Sequence, residues 1–299
     1  MSEKGAALDP SAYRSHLKPI WCPGCGHYGA LSALCRAMAE CRLDRWNTVV
    51  ISGIGCSSRL PGFLNTYGFH GVHGRALPVA TGVRIANPNL KVIVVSGDGD
   101  AYSIGAGHLL HCARRNPRIA CIVLNNGVYG LTKGQISPTS PLPLASEGPT
   151  SDPRRWKTTP YGATETPINA VAQAIAWDTS FVARGFSYDQ PGLTSVLVGA
   201  LRHPGFALVD VLSPCPTWNQ VQTEAFCRER VHPVPPGYDP TDRVAAFAEA
   251  IRNDVYTVGV LYRSRSRIHG IEEETASVRA AAMASSGGMQ ALLESLRVS

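Results

Sequence analysis

Short apolar runs recur along the chain, and longer segments with helical spacing of apolar residues lie between them. The runs at residues 92–95 and 119–124 do not alternate with polar residues, which is typical of strands buried on both faces of a parallel sheet. The alternation of strands and helices predicts an α/β fold with a mostly parallel sheet and helices on both faces. The predicted strands are residues 48–52, 92–95, 119–124, 181–184, 206–212 and 256–262, and the predicted helices are residues 29–40, 103–115, 168–177, 193–202 and 241–253.

Three segments fall outside this alternation. Residues 1–20 are predicted to form an N-terminal arm, because they lack a continuous apolar run. Residues 134–167 are rich in Pro, Ser and Thr and are long for a connection, which indicates a functional loop or lid. Residues 263–299 are polar and poor in aromatic side chains, so they are predicted to form a flexible tail with a weak helix at residues 289–296. The folded domain is therefore predicted to span residues 21–262.

The composition narrows the class of protein. The chain has 299 residues, 44% of them hydrophobic, which is enough for one large α/β domain or two small ones. It contains neither a signal-peptide core nor an apolar run that could cross a membrane, so we expect a cytoplasmic protein. Nine cysteines in such a chain favour thiols or metal ligands over disulfides. The net charge of +6 comes from scattered basic residues, which gives weak support for nucleic-acid binding and suits an acidic protein partner equally well.

Polar residues follow two of the predicted strands at the point where each strand ends. Asp98 lies between two glycines after residues 92–95, and Asn125 and Asn126 follow residues 119–124. Ligands of open α/β sheets bind at the carboxyl ends of the strands, and Mg²⁺ prefers oxygen ligands in octahedral geometry. Asp98, the Asn126 amide oxygen and a nearby backbone carbonyl could therefore hold Mg²⁺ if a diphosphate supplied further ligands. The alternative is two turns that use Gly, Asp and Asn for backbone reasons.

Four cysteines lie in positions that suit a metal centre. Cys22 and Cys25 are separated by two residues, and a turn between them can bring both sulfurs to one side. Cys56 and Cys215 each lie just after a predicted strand. Zinc, redox and iron–sulfur uses remain open from this spacing alone. The other cysteines are interpreted as core or surface thiols, namely Cys35, Cys41, Cys112, Cys121 and Cys227.

The stretch at residues 65–82 is dense in Gly, His and Arg. His70, His73 and Arg75 cannot all be buried without partners, so at least one of them is expected to face an anion or a cofactor. A zinc site built from the two histidines is the alternative, but no carboxylate or cysteine lies close by in the sequence to complete it.

Taken together, four motifs resemble the β subunit of 2-oxoacid:ferredoxin oxidoreductases, in the branch that includes 2-oxoglutarate synthase. The resemblance runs from about residue 21 to residue 262. The motifs are CPGCGH, GIGCSSRLPGFLNTYGFHGVHGRALPVATG, GDGDAYSIG with NNGVYGLTKGQ, and VLSPCPTWN.

The resemblance implies a thiamine-diphosphate-binding fold that carries thiamine diphosphate, Mg²⁺ and one [4Fe–4S] cluster. By the same resemblance, the cluster ligands are Cys22, Cys25, Cys56 and Cys215, and the Mg²⁺ ligands are Asp98, Asn126 and the backbone of Val128. The implied thiamine contacts are Ile54, Gly55, Cys56, Ser57, His73, Gly99, Asp100, Gly130 and Leu131.

The implied reaction is the oxidative decarboxylation of a 2-oxoacid with coenzyme A, in which the electrons pass through the cluster to ferredoxin. 2-Oxoglutarate is expected on family resemblance, with pyruvate and other 2-oxoacids open. Arg59 and Lys133 are candidates for pairing with a substrate carboxylate, although phosphate or interface contacts would explain them equally well. The alternatives are a thiamine-dependent lyase or synthase with structural cysteines, and a zinc-binding subunit without catalytic activity.

No residue of this chain is assigned as the carboxylate that activates thiamine. Thiamine enzymes generally use such a group, usually Glu, and often take it from a second domain. In the matching stretches at residues 21–65 and 70–135, the acidic residues are Glu40, Asp44, Asp98 and Asp100, and none of them is well placed for the task. We therefore expect an α subunit to supply this Glu in a heterodimer or a dimer of heterodimers.

Overall fold

An eight-stranded sheet organises the protein in the computed structural model, which describes residues 9–142, 162–252, 255–266 and 270–284. The strand order is β2-β1-β3-β4-β8-β7-β10-β9, and each neighbouring pair is parallel except β7 and β10. A separate hairpin pairs β5 with β6. The strands are β1 Thr48–Ser52, β2 Tyr67–His70, β3 Lys91–Gly97, β4 Ile119–Asn125, β5 Val128–Tyr129, β6 Gln135–Ile136, β7 Phe181–Phe186, β8 Ala207–Leu212, β9 Val231–Pro233 and β10 Tyr256–Arg263.

Helices cover both faces of the sheet, so the predicted α/β class is confirmed. One hydrophobic core contains α1 and α5, and the other contains residues of α2, α3, α4 and α7. Strands β1, β4, β7 and β8 are buried almost throughout, and their sequences are mostly apolar apart from the buried Arg184 in β7 and Asp210 in β8. The helices are α1 His27–Glu40, α2 Ala76–Ala86, α3 Ala106–Arg115, α4 Ala170–Ala176, α5 Gln190–Arg202, α6 Glu224–Arg230, α7 Arg243–Ala250 and α8 Ile271–Ala284.

The start predicted at Ser103 for the helix of residues 103–115 is wrong. The helix α3 begins at Ala106, and an irregular turn over Asp100–Ile104 precedes it. Ser103 has φ −98° and ψ −105°, which is outside the helical region. The turn follows the buried Asp100, whose carboxylate is held by groups from neighbouring loops. Tertiary contacts therefore replace the N-cap that the local sequence indicates.

The two ends of the described chain are attached to the core. Tyr13 is fully buried in the predicted arm, and its hydroxyl donates to the Leu43 carbonyl at 2.6 Å. Within the predicted flexible tail the structure has the helix α8, which is held by the ion pair of Glu272 with Arg84 at 2.7 Å. The predicted helix at residues 289–296 lies outside the described residues, and the domain boundaries stay predictions.

Among the described residues, no helix combines the length and apolar character that a membrane crossing requires.

Candidate functional site

Loops at the carboxyl ends of β1, β3 and β4 enclose a cavity of about 120 Å³. Its wall contains every residue that was predicted to contact thiamine and all three that were predicted to bind Mg²⁺. The structure therefore brings together residues that are up to 77 positions apart, between Ile54 and Leu131. The lining residues are Ile54, Gly55, Cys56, Ser57, His73, Gly97, Asp98, Gly99, Asp100, Asn126, Val128, Tyr129, Gly130, Leu131 and Thr132.

Asp98 lines this cavity with 1% of its surface exposed. The backbone N–H of Asn126 donates to its Oδ1 at 3.3 Å, and the Thr139 hydroxyl donates to its Oδ2 at 2.7 Å. Burial raises the pKa of Asp98, and these hydrogen bonds oppose the rise. A divalent cation would compensate the buried charge, so this donor set fits a hard metal ion.

A tight turn places Asn126 and Val128 beside Asp98. Oδ1 of Asn126 accepts from the Val128 N–H at 3.1 Å, and the Asn219 amide donates to the Asn126 carbonyl at 2.8 Å. Gly127 has φ +63°, and an added Cβ would collide with the Gln222 side chain. Glycine is thus required both by the left-handed conformation and by the close approach of Gln222.

Asp100 connects the loop after β1 to the loop after β2 through hydrogen bonds. Its Oδ1 accepts from the backbone N–H groups of Gly74 at 2.7 Å and Ile54 at 3.2 Å, and its Oδ2 accepts from the Ser96 hydroxyl at 2.6 Å. Nδ1 of His73 lies 2.6 Å from Oδ1, as an ion-pair contact. The carboxylate therefore holds the loops after β1 and β2 in place and orients His73, which is 40% exposed at its side chain.

Tyr129 and Gly99 both line the cavity and contact each other. The Tyr129 hydroxyl donates to the Gly99 carbonyl at 2.9 Å, and a Cβ at Gly99 would collide with the tyrosine ring. The sequence predicted Gly99 as a cofactor contact, and the structure gives a packing reason for this glycine as well.

The four motif cysteines lie near one another, and Cys56 among them also lines the cavity. The indole N–H of Trp21 donates to the Cys56 carbonyl at 2.7 Å, which joins the first motif to the second. The N–H of Gly26 donates to the Pro214 carbonyl at 3.2 Å, which joins the first motif to the fourth. The pKa of Cys25 is raised to about 12, chiefly by burial; the His27 N–H opposes the rise, and the thiols of Cys215, Cys56 and Cys22 contribute to it. The structure thus brings all four thiols within electrostatic range of one another.

The other cysteines behave as the sequence predicted. Cys35, Cys112, Cys121 and Cys227 are buried, and Cys41 is half-buried. In the part of the chain that the structure describes, no group of three or more His, Cys, Asp or Glu side chains is arranged to hold a metal ion. The iron–sulfur ligands therefore stay a prediction.

The two candidate substrate residues are exposed, and they follow lining residues in the sequence, Arg59 two positions after Ser57 and Lys133 directly after Thr132. Arg59 belongs to the 3₁₀ turn Ser57–Phe63, which directly follows the first cofactor loop. Lys133 lies in the loop between β5 and β6 with φ +76°, a conformation that costs a non-glycine residue free energy. Neither side chain lines the cavity itself.

Comparisons with known proteins agree with this site. Residues 53–211 match the family model of the thiamine pyrophosphate enzyme C-terminal TPP binding domain, and residues 215–278 match the model for the C-terminal part of the pyruvate ferredoxin oxidoreductase β chain. The β subunit of a 2-oxoacid:ferredoxin oxidoreductase from Saccharolobus solfataricus is 45% identical over 224 residues, which are 74% of this chain and 70% of the relative. The chain belongs to the β subunits of the 2-oxoacid:ferredoxin oxidoreductases.

Two further relatives place this oxidoreductase β subunit within its family. The 2-oxoglutarate oxidoreductase subunit KorB of Mycobacterium tuberculosis is 46% identical over 70% of this chain and 53% of the relative. A solved structure of the 2-oxoglutarate:ferredoxin oxidoreductase from Magnetococcus marinus, with 2-oxoglutarate, coenzyme A and succinyl-CoA bound, is 38% identical. The similarity covers 98% of this chain and 97% of that chain with a TM-score of 0.89.

Sequence reasoning missed several residues that build the site of this oxidoreductase β subunit. Tyr129 and Asn219 lie inside the family motifs but were not assigned a role. Thr139 contacts Asp98 from the Pro-rich segment at residues 134–167. That segment contains many Ser and Thr residues, so the sequence alone does not distinguish Thr139 from the others. The lid predicted from that segment lies in part outside the described residues. The match to the TPP binding domain supports thiamine diphosphate as the cofactor of the cavity.

Proposed function

We propose that this β subunit serves in the CoA-dependent oxidative decarboxylation of 2-oxoglutarate. The reaction converts 2-oxoglutarate and coenzyme A to succinyl-CoA and CO₂, and it transfers two electrons to two molecules of a one-electron acceptor, ferredoxin. The observation that carries the proposal is the single cavity that gathers the thiamine and metal residues and has Cys56 in its wall. The 2-oxoglutarate and succinyl-CoA bound to the relative from Magnetococcus marinus support this choice of substrate.

Asp98, Asn126 and the Val128 carbonyl would hold Mg²⁺, which would join the protein to the diphosphate of the cofactor. The loop at residues 54–57 and the backbone at Gly99 and Gly130 would surround the cofactor. Bound thiamine supplies the nucleophilic carbon that attacks the 2-oxo group and accepts the electron pair after CO₂ leaves. This chain would orient the cofactor and exclude water. It would also keep fixed the two loops that carry the proposed metal ligands, those after β3 and β4.

Cys22, Cys25, Cys56 and Cys215 would hold the [4Fe–4S] cluster, which supplies one-electron transfer. Cys56 supports this assignment because it both lines the cavity and interacts electrostatically with the Cys215 and Cys22 thiols. The cluster would therefore lie beside the cofactor. Arg59 and Lys133 remain candidates for recognising the distal carboxylate of the substrate, since both are exposed cations that closely follow cavity-lining residues in the sequence.

The proposed enzyme also requires an α subunit. Asp98 and Asp100 are the two carboxylates that line the cavity among the described residues, and each is already held by protein donors. The Glu that activates thiamine would therefore come from the partner. The edge strand β2 supports such a partner because all four of its residues are exposed, including Tyr67 and Phe69.

The test is anaerobic co-purification of the chain with its α subunit, followed by cofactor analysis and assay. We expect about four irons and four sulfides per cluster-binding chain, with thiamine diphosphate, Mg²⁺ and CoA-dependent reduction of ferredoxin by 2-oxoglutarate. Cys56→Ser should lose or alter the cluster and reduce electron transfer, whereas Cys41→Ser should retain both.

Stoichiometric zinc without iron would contradict the proposed transfer of electrons through an iron–sulfur cluster. Decarboxylation without any electron transfer would instead identify a thiamine-dependent lyase. A turnover rate with pyruvate far above that with 2-oxoglutarate would contradict the assignment of 2-oxoglutarate as the substrate.

A further inference from the structure

Three hydroxyl side chains are buried together in a short turn that follows β6. This hydroxyl turn consists of Ser137, Thr139 and Ser140, whose exposed fractions are 4%, 8% and 1%. Buried hydroxyl groups cost free energy unless they form hydrogen bonds. The hydrogen-bond partners of these three hydroxyl groups therefore indicate why polar side chains are buried in this turn.

The Thr139 hydroxyl contacts the proposed metal ligand Asp98 directly. It lies 2.7 Å from Oδ2 of Asp98 and 3.0 Å from Oδ1 of Asn125. A threonine has one hydroxyl proton, and the shorter contact to the carboxylate is the stronger one because the acceptor is charged. With the Asn126 N–H on Oδ1, this contact fixes the rotation of the Asp98 carboxylate from both sides.

Ser140 supports the turn that carries Asn126 and Val128, whereas the Ser137 side chain interacts with Asp98 beside Thr139. Ser140 donates to the Gly127 carbonyl at 2.6 Å, and it accepts from the Ser137 N–H at 2.9 Å. The Ser137 hydroxyl lies 3.2 Å from that of Thr139, which links the two halves of the hydroxyl turn. The Ile168 N–H donates to the Pro138 carbonyl at 2.8 Å and ties the far end of the Pro-rich segment to the same place.

We propose that the hydroxyl turn is a positioning layer for the metal site and that Thr139 is its central residue. The proposal rests on the proposed function, because it assigns the turn to the Mg²⁺ that Asp98, Asn126 and Val128 would bind. Thr139 orients the carboxylate ligand, and Ser140 holds the backbone that presents the other two ligands. Groups that orient metal ligands in this way typically change metal affinity by about 10–100-fold when removed.

The test measures Mg²⁺ binding in the purified complex after removal of metal, with thiamine diphosphate present in excess. Thr139→Val keeps the shape of the side chain and removes the donor, so we expect the apparent Kd for Mg²⁺ to rise about tenfold or more. Thr139→Ser restores the hydroxyl and should bind Mg²⁺ within about threefold of the wild type. Thr194→Val makes the same exchange in α5, where the hydroxyl bonds only the Gln190 carbonyl, and should leave the Kd unchanged.

The thermal unfolding midpoint of the metal-free proteins distinguishes positioning from folding. We expect Mg²⁺ with thiamine diphosphate to raise the midpoint of the wild type and of Thr139→Ser more than that of Thr139→Val. If Thr139→Val does not fold, Ser140→Ala is measured in its place, with the same weakening expected. Wild-type Mg²⁺ affinity in the variant that is measured overturns the inference and leaves the proposed function intact. A wild-type complex that binds thiamine diphosphate without any metal overturns the proposed metal site itself.

Discussion

His203, at the end of α5, shows how burial sets the charge of a single residue in this protein. It is 8% exposed, and its Nε2 lies 2.7 Å from the Ser180 hydroxyl. The pKa of His203 is lowered to about 4, chiefly by burial and to a smaller extent by the positive charges of Arg263 and Lys91. The imidazole is therefore neutral in the folded protein under conditions in which an exposed histidine gains a proton.

We predict that His203 makes the protein less stable in weak acid. The unfolded chain takes up the proton near pH 6.5 and the folded chain only near pH 4, so stability falls as the pH decreases between these values. His203→Gln should remove this dependence, which amounts to about 3 kcal/mol in the free energy of unfolding at pH 4. Unfolding of the full chain at pH 7 and pH 4.5 measures it. His232→Gln, at an exposed position, should keep the wild-type slope. An unchanged slope in His203→Gln would contradict the assignment.

At the residue scale, the sequence predicts the groups whose chemistry is unusual and not those that hold them. Asp98 and Asn126 were identified because a carboxylate and an amide at strand ends have a recognisable use, and the structure places both in one cavity. Thr139 and Asn219 could not be found this way, because their roles depend on partners far along the chain. A hydroxyl or amide that positions another residue carries no local pattern of its own.

Among the elements, the helix α8 depends most clearly on one long-range contact. Oε1 of Glu272 accepts from Arg84 Nε and from the Arg118 N–H, both at 2.7 Å. The Arg84 guanidinium also donates to two carbonyls at the end of α2, those of Pro88 and Leu90. Both charged side chains are buried, so the removal of one would leave the other without full compensation.

We predict that Glu272→Gln detaches α8 and lowers the free energy of unfolding by about 3 kcal/mol, because Arg84 keeps its buried charge. Limited proteolysis should then cleave the chain faster at residues 263–284, and hydrogen exchange in α8 should accelerate. Glu274→Gln changes an exposed residue of the same helical turn and is the matched control. Equal proteolysis of the two variants would show that the ion pair does not hold the helix.

The elements that the sequence predicted are those with strong local patterns. Strand β1 was predicted with its observed bounds, because five buried residues in a row are mostly β-branched. Strand β2 was missed because all of its residues are exposed and its place in the sheet comes from pairing with β1. Helix α8 was missed because the polar sequence around it resembles a tail, and only the contact with Arg84 distinguishes it.

At the scale of the whole molecule, β2 forms an exposed edge of the sheet. Tyr67 and Phe69 are about half exposed, and the ring of Trp46 contacts that of Tyr67 at a centroid distance of 6.1 Å. An edge with unpaired backbone and aromatic side chains is unfavourable in water unless another chain covers it.

We predict that Phe69→Asp weakens the complex with the α subunit, because a carboxylate would be buried in an apolar interface. The yield of the partner in co-purification should fall, and activity should fall with it. Val244→Asp makes the same change at a residue that is 81% exposed on α7, and we expect a full yield of the complex. A chain that oxidises 2-oxoglutarate at the full rate without any partner would contradict the need for the second subunit.

The positions of the four motif cysteines in the sequence determine the order in which the ribosome synthesises them. The first three thiols leave the ribosome early, but Cys215 follows Cys56 only after most of the central sheet has been made. At the usual rate of translation this interval lasts on the order of 10 s, during which the proposed cluster ligands are incomplete and the first three thiols are open to oxidation or to capture by other metals. A nascent chain in air is therefore most vulnerable before β8 pairs with β4, and we expect the yield of the proposed [4Fe–4S] cluster to depend on oxygen during translation more than after it.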